Sequence, residues 1–124
     1  MAGFHAGFST WLSQVTRAFA RHVRSTSMNK LESSYAAHLE LLKRAGEIQW
    51  YGYEVWTFKL ADNTRFTPDF ALVMADGSIE LHETKGFFRD DARVKLKVAA
   101  CTIAPFFTWR LVRWQNKSWH VEEV

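Results

Sequence analysis

Apolar positions near the start of the chain recur at helical spacing. Phe8, Trp11, Leu12, Val15, Phe19 and Val23 form one stripe over residues 8–24, while Arg17, Arg21 and Arg24 fall largely on other faces, which predicts an amphipathic helix. Ser25, Thr26 and Ser27 make a polar break before a second predicted helix over residues 29–45. Asn29 suits its N-cap, Gly46 stands where a left-handed terminator belongs, and Lys43 and Arg44 occupy the last turn, where the helix dipole favours cations.

From Ile48 the period changes to two. Trp56, Phe58 and Leu60 alternate with Thr57 and Lys59 in a first strand, with Gly52 as a bend or bulge. Residues 61–64 read as a turn, residues 65–74 as a second strand, and Asp76-Gly77 as a two-residue hairpin turn into a third strand over residues 79–85. The three form an antiparallel meander. Gly86 ends it, Asp90 or Asp91 caps a helix running to about residue 104, and Pro105 stops that helix. A fourth strand covers residues 107–114, and residues 119–124 pair with it as a hairpin. No internal repeat or low-complexity segment interrupts this order.

A chain of 124 residues with 48% hydrophobic content is one domain with a single packed core, which excludes disorder as its general state. Its organisation reads as an arm over residues 1–27 and a domain over residues 28–124. The lone cysteine, Cys101, rules out an internal disulfide and a Cys-based zinc site, and is expected to be buried in its helix. With no apolar run of bilayer length and no leader pattern, a cytoplasmic protein without membrane contact is the expectation. Net charge is +3, unevenly spread: residues 1–31 hold four basic residues and no acid. A second basic group, Lys85, Arg89, Arg93, Lys95 and Lys97, is diluted only by Asp90 and Asp91, and such clusters attract phosphate backbones.

The chemistry-bearing residues lie between these features. Asp69 follows Pro68 within the second predicted strand; Glu83 and Lys85 lie two apart near the end of the third. Alternation puts Leu81, Glu83 and Lys85 on one face and Glu80, His82 and Thr84 on the other. The hairpin then brings Asp69 close to Glu83. Two adjacent carboxylates repel, a cost removed by a divalent cation between them, and all-oxygen ligation favours Mg²⁺ or Mn²⁺ over zinc. Such a cation activates water and stabilises charge on a phosphate, while the Lys85 ammonium neutralises further charge beside it. The Thr84 carbonyl is a further candidate ligand. His82 is expected to pack or hydrogen-bond on the opposite sheet face, and the tryptophans to be mostly core or half-buried.

The segment FTPDFALVMADGSIELHETKG resembles the signature of the PD-(D/E)XK nuclease superfamily. That resemblance spans about residues 28–114. It implies an α/β (α+β), restriction-endonuclease-like α-β-β-β-α-β core with a mixed central sheet, here preceded by the N-terminal amphipathic helix. MNKLESSYAAHLELLKRAGEI is similar to the first helix of a short phage-encoded family in this superfamily, in which a glutamate lies fourteen residues before a glycine; here it is Glu32 before Gly46. By resemblance Glu32 faces the site and holds water or a second metal; otherwise it is an ordinary acid near a helix N-terminus. The phage family often carries Asp-Val-Lys-Gly where this chain has Glu-Thr-Lys-Gly, and residues 1–27 have no counterpart in the signature.

The implied function is Mg²⁺-dependent hydrolysis of DNA phosphodiesters by an endonuclease acting on branched or replicating phage DNA. Asp69, Glu83 and Lys85 carry it with Glu32, and Arg89, Arg93, Lys95 and Lys97 contact phosphates. Two alternatives stay open: a non-catalytic DNA-binding or interaction module with this fold, and the end-cutting nuclease subunit of a transposition system. Residues 8–24 are expected to bury their apolar stripe against a second subunit in a homodimer, since a short amphipathic helix is marginal alone, although the protein's own sheet is another possible partner.

Overall fold

The computed structural model describes residues 28–85, 90–103 and 106–124. The expected helix over residues 8–24, the stop at Gly86, Arg89 and the stop at Pro105 lie outside these residues.

Helix α1 (Lys30–Arg44) begins where the sequence places its cap. The Asn29 side chain accepts from the Glu32 N–H at 2.8 Å, and the Glu32 carboxylate accepts in return from the Asn29 N–H at 2.9 Å, a reciprocal capping box. At the other end Gly46, at φ 82°, lets its own N–H reach the Lys43 carbonyl and the Glu47 N–H reach that of Leu42, a Schellman ending. Tyr35 and Leu39 carry the buried face.

The strands are β1 (Ile48–Tyr53), β2 (Phe58–Ala61), β3 (Thr64–Phe66), β4 (Phe70–Met74) and β5 (Ile79–Thr84), followed by helix α2 (Asp90–Ile103), β6 (Thr108–Gln115) and β7 (Ser118–Glu123). Five form a sheet in the order β1-β4-β5-β6-β7, all neighbours antiparallel except β5 and β6, which are parallel across the α2 crossover. The protein is thus a mixed α+β domain with helices on both sheet faces.

The expected meander exists as β1, β4 and β5, but its first two strands are each divided. Between β1 and β4 the chain leaves the sheet to make a separate β2–β3 hairpin. Glu54, at φ 48°, turns the chain out, and Pro68, with no N–H to give a ladder, stands where it returns. Asp69 therefore sits just before β4 instead of within a strand. Gly52 is no bend: a Cβ there would lie 2.5 Å from the Trp50 ring and 2.6 Å from Val55, so close packing requires glycine, and the β1 irregularity falls between Ile48 and Trp50. The loop at Asp76-Gly77 spans four residues between β4 and β5, with Gly77 at φ 88° and Asp76 accepting from both the N–H and hydroxyl of Ser78.

One sheet face, with Ala71, Leu81, Trp109 and Leu111, packs on Leu96 and Ala99 of α2 and on the aromatic side chains of the β2–β3 hairpin. On the other, Phe70, Leu72 and Val112 meet Tyr35 and Leu39 of α1. Cys101 is exposed, contrary to expectation. It follows Ala99 by two positions, about 200° around the helix, so the spacing that buries Ala99 turns Cys101 outward.

Candidate functional site

Asp69, Glu83 and Thr84 meet at one end of the antiparallel strands. The β4–β5 register pairs Phe70 with His82, and one further step sets Asp69 opposite Glu83. With no strand bond available at that point, the Asp69 carboxylate takes the place of a ladder acceptor. One of its oxygens accepts from the Thr84 N–H at 2.9 Å and from the Thr84 hydroxyl at 2.8 Å. All three residues are buried, Asp69 being 9% and Glu83 6% exposed.

That burial sets the electrostatics. Desolvation pushes the Glu83 carboxyl up to about 9, and a hydrogen bond and charge repulsion from Asp69 push the same way; Lys85 opposes them. At neutral pH Glu83 therefore keeps its proton. Lys85, immediately beyond β5, is half-buried, and its N–H is fixed to the Val112 carbonyl of β6 at 3.0 Å.

The sequence reading missed two neighbours, Tyr53 and Glu54. Continuing the β1–β4 register by one residue places Glu54 opposite Asp69, and the Glu54 N–H donates to the Asp69 carbonyl at 2.8 Å. Glu54, Asp69 and Glu83 therefore occupy one row across three strand ends. The hydroxyl of Tyr53, which packs on Phe70, donates to Glu32 at 2.7 Å and also bonds to Glu54; burial and then these acids raise its pKa well above the tyrosine range. Glu32 is thus tied to the end of β1 through Tyr53, while also serving the α1 cap. An acid one residue past an apolar strand was the available signal for Glu54; nothing in the sequence marks Tyr53.

The basic group of α2 is less unified than its sequence suggests. Lys95 and Lys97 are both exposed but stand about 200° apart around the helix, and Arg93 lies 3.5 Å from Glu122 of β7. Arg113 holds the same Glu122 at 2.8 Å.

A second buried polar cluster lies on the opposite face of β5. His82 bonds to the Tyr35 hydroxyl at 2.7 Å and to Glu80 at 2.9 Å, and Glu80 accepts from Arg110 at 2.7 Å. This matches the role expected of His82.

Among the described residues no three His, Cys, Asp or Glu side chains converge as a ligand group. Mg²⁺ often binds through one or two carboxylates and retains several waters, so the chemistry of the Asp69–Glu83 pair fits it. Comparison with known proteins finds no matching family model, no matching curated protein and no matching solved structure. Among the described residues no helix is long and apolar enough to cross a membrane.

Proposed function

We propose that the protein is a divalent-metal-dependent DNA endonuclease of PD-(D/E)XK type, with Asp69, Glu83 and Lys85 as its working residues. The observation that carries this reading is the Asp69–Glu83 pair, buried side by side at a strand end, with the Glu83 pKa raised to about 9 and a lysine beside it. A purely structural carboxylate is normally compensated; among the described residues only Lys85 opposes the charge of this pair.

Asp69 and Glu83 would hold Mg²⁺ or Mn²⁺, with the Thr84 carbonyl as a further candidate. When bound, the cation supplies Lewis-acid stabilisation of a phosphate and activation of water. Asp69 arrives already oriented by its two bonds from Thr84. Glu83 would release its proton to solvent on holding the cation. Lys85 would contribute a cation toward the charge that accumulates on the attacked phosphate. Glu32 and Glu54, joined by Tyr53, line the approach from α1 and β1 and act as positioning residues. Lys97 and Lys95 supply phosphate attraction from α2, and Arg93 does so only in competition with Glu122.

The test is incubation of the full chain with duplex, nicked, flap and four-way-junction DNA, with Mg²⁺ or with chelator. Metal-dependent cleavage of at least one substrate, lost in Asp69→Asn and in Glu83→Gln, supports the proposal. Tight DNA binding without cleavage by the wild type would instead favour the non-catalytic module, for which the Asp69–Thr84 bonds already supply a structural use.

A further inference from the structure

The two faces of the five-stranded sheet are unequally covered. Strands about 4.8 Å apart make a sheet roughly 19 Å across, whereas one helix is about 10 Å wide. On one face α2 shares the work with the β2–β3 hairpin. On the other, α1 is the only helix among the described residues, packing over β1, β4 and β5 and reaching only Val112 and Trp119 of the β6–β7 side. The β6–β7 side of that face presents Trp114, 51% exposed, and Val121, 45% exposed, with Trp119 packed edge-on against Trp114. Between this shelf and α1 runs a groove of about 330 Å³, walled on the helix side by Ser34, Ala37, His38 and Leu41.

These α1 residues recur at helical spacing and form one lateral stripe, distinct from the buried Tyr35 and Leu39. Leu41 is 63% exposed, while Ser34 and Ala37 are small enough for a neighbouring backbone to approach closely. The stripe and shelf therefore have the form of a bed for a second helix lying beside α1.

We infer that residues 8–24 of the same chain fill it, folding back antiparallel to α1 as a helical hairpin. The 27 residues before Met28 lead into α1 at its N-cap, and residues 25–29, polar except for Met28, are a connection of the length that joins antiparallel helices. Seventeen helical residues extend roughly 25 Å, close to the roughly 22 Å of α1. In that orientation Phe19 and Val15 meet the small positions Ser34 and Ala37, and Leu12 and Trp11 reach Leu41. Arg17, Arg21 and Arg24 turn outward, opposite the apolar stripe. The groove thus offers the amphipathic segment a cover within its own chain, in place of the second subunit its sequence alone favours.

Limited trypsin digestion of the full chain tests this, because Arg17, Arg21 and Arg24 become cleavable only when the segment opens, and cleavage then follows the open population. In the wild type these sites are expected to be protected, to the same extent at every protein concentration, in a species that sediments as a monomer. Leu41→Ser with Trp114→Ser, both at exposed positions, and separately Val15→Asp with Phe19→Asp, should each accelerate cleavage there by at least about tenfold. Thr10→Asp, on the polar face, should not. Rapid cleavage of the wild type, or rates unchanged by the groove and stripe variants, overturns the inference. So does protection that grows with concentration alongside a sedimenting dimer, which assigns the groove or the stripe to a second copy.

Discussion

Two glutamates three residues apart on β5 live under opposite electrostatics. Glu80, on the α1 face, is bonded to His82 and Arg110, and its carboxyl is held below the usual range, first by the His82 hydrogen bond and then by Arg110. Glu83, on the α2 face at the strand end, meets another carboxylate and is pushed up to about 9 by burial and by Asp69. Both sit on a well-formed strand, so the fold itself does not explain the difference. What differs is compensation: the Glu80 cluster closes on itself through Tyr35, His82 and Arg110, whereas among the described residues only Lys85 opposes the charge of the Asp69–Glu83 pair. Buried charge that is matched holds a structure together; buried charge left short marks a place for chemistry.

The widest separation between the two clusters should appear in catalysis. Asp69→Asn, Glu83→Gln and Lys85→Ala are each expected to lower metal-dependent cleavage by about 100-fold or more while the circular dichroism of the fold persists. Glu80→Gln should leave cleavage per folded molecule within a few-fold, and a loss as large as that of Glu83→Gln would erase the distinction.

Stability should show the reverse order. Removing one partner from the Glu80 cluster strands the others, so Arg110→Ala or His82→Ala is expected to cost about 3 kcal/mol in denaturant unfolding. Glu83→Gln should instead stabilise the metal-free protein at pH 8 by about 2 kcal/mol, because an amide needs no proton uptake on folding and can donate to Asp69. Equal destabilisation by both changes would mean that Glu83 is structurally compensated after all.

Dependence on pH follows with opposite signs. The Glu83 carboxyl is raised in the fold, so its contribution is fully present below its ordinary value of 4.5 and is lost as pH climbs toward about 9. Glu80 is lowered, so its contribution holds above 4.5 and fades as pH falls through its folded value. Burial lowers His82, which stays neutral in the fold and withdraws stability as pH drops below 6.5. Metal-free melting temperatures should therefore decline toward both acid and alkaline pH, and Glu83→Gln should remove most of the alkaline decline. An unchanged alkaline limb in that variant would contradict the assignment.

The smallest effect concerns α2, where compensation again divides the residues. Lys97→Gln should reduce the salt slope of DNA binding by about one unit, and Arg93→Gln by less, since Glu122 already sits beside Arg93. Equal slopes for both variants would show that the Glu122 contact does not matter to binding.

Much of this arrangement was legible in the chain. Asn29, Gly46 and the alternation from Ile79 to Thr84 locate α1 and β5 because each depends on local backbone preference. The convergence of Asp69 and Glu83 also followed from hairpin geometry, although Asp69 reaches Glu83 from a break before β4 instead of from mid-strand. The β2–β3 excursion was hidden, because its apolar residues alternate just as those of a sheet strand do and only tertiary packing on Trp109 separates them. Tyr53 and Glu54 were hidden for a related reason. Their place beside Asp69 depends on the pairing of β1 with β4, a contact between residues some seventeen positions apart.

The central claim, that the Asp69–Glu83 pair is a divalent-cation site, is tested most directly by titrating Mg²⁺ or Mn²⁺ into the full chain in a calorimeter. Wild type and Glu80→Gln are predicted to bind with similar affinity, and Glu83→Gln at least about tenfold more weakly, the loss typical when a group at a metal site is removed. Binding of equal strength in Glu83→Gln, or none in the wild type, would contradict the account.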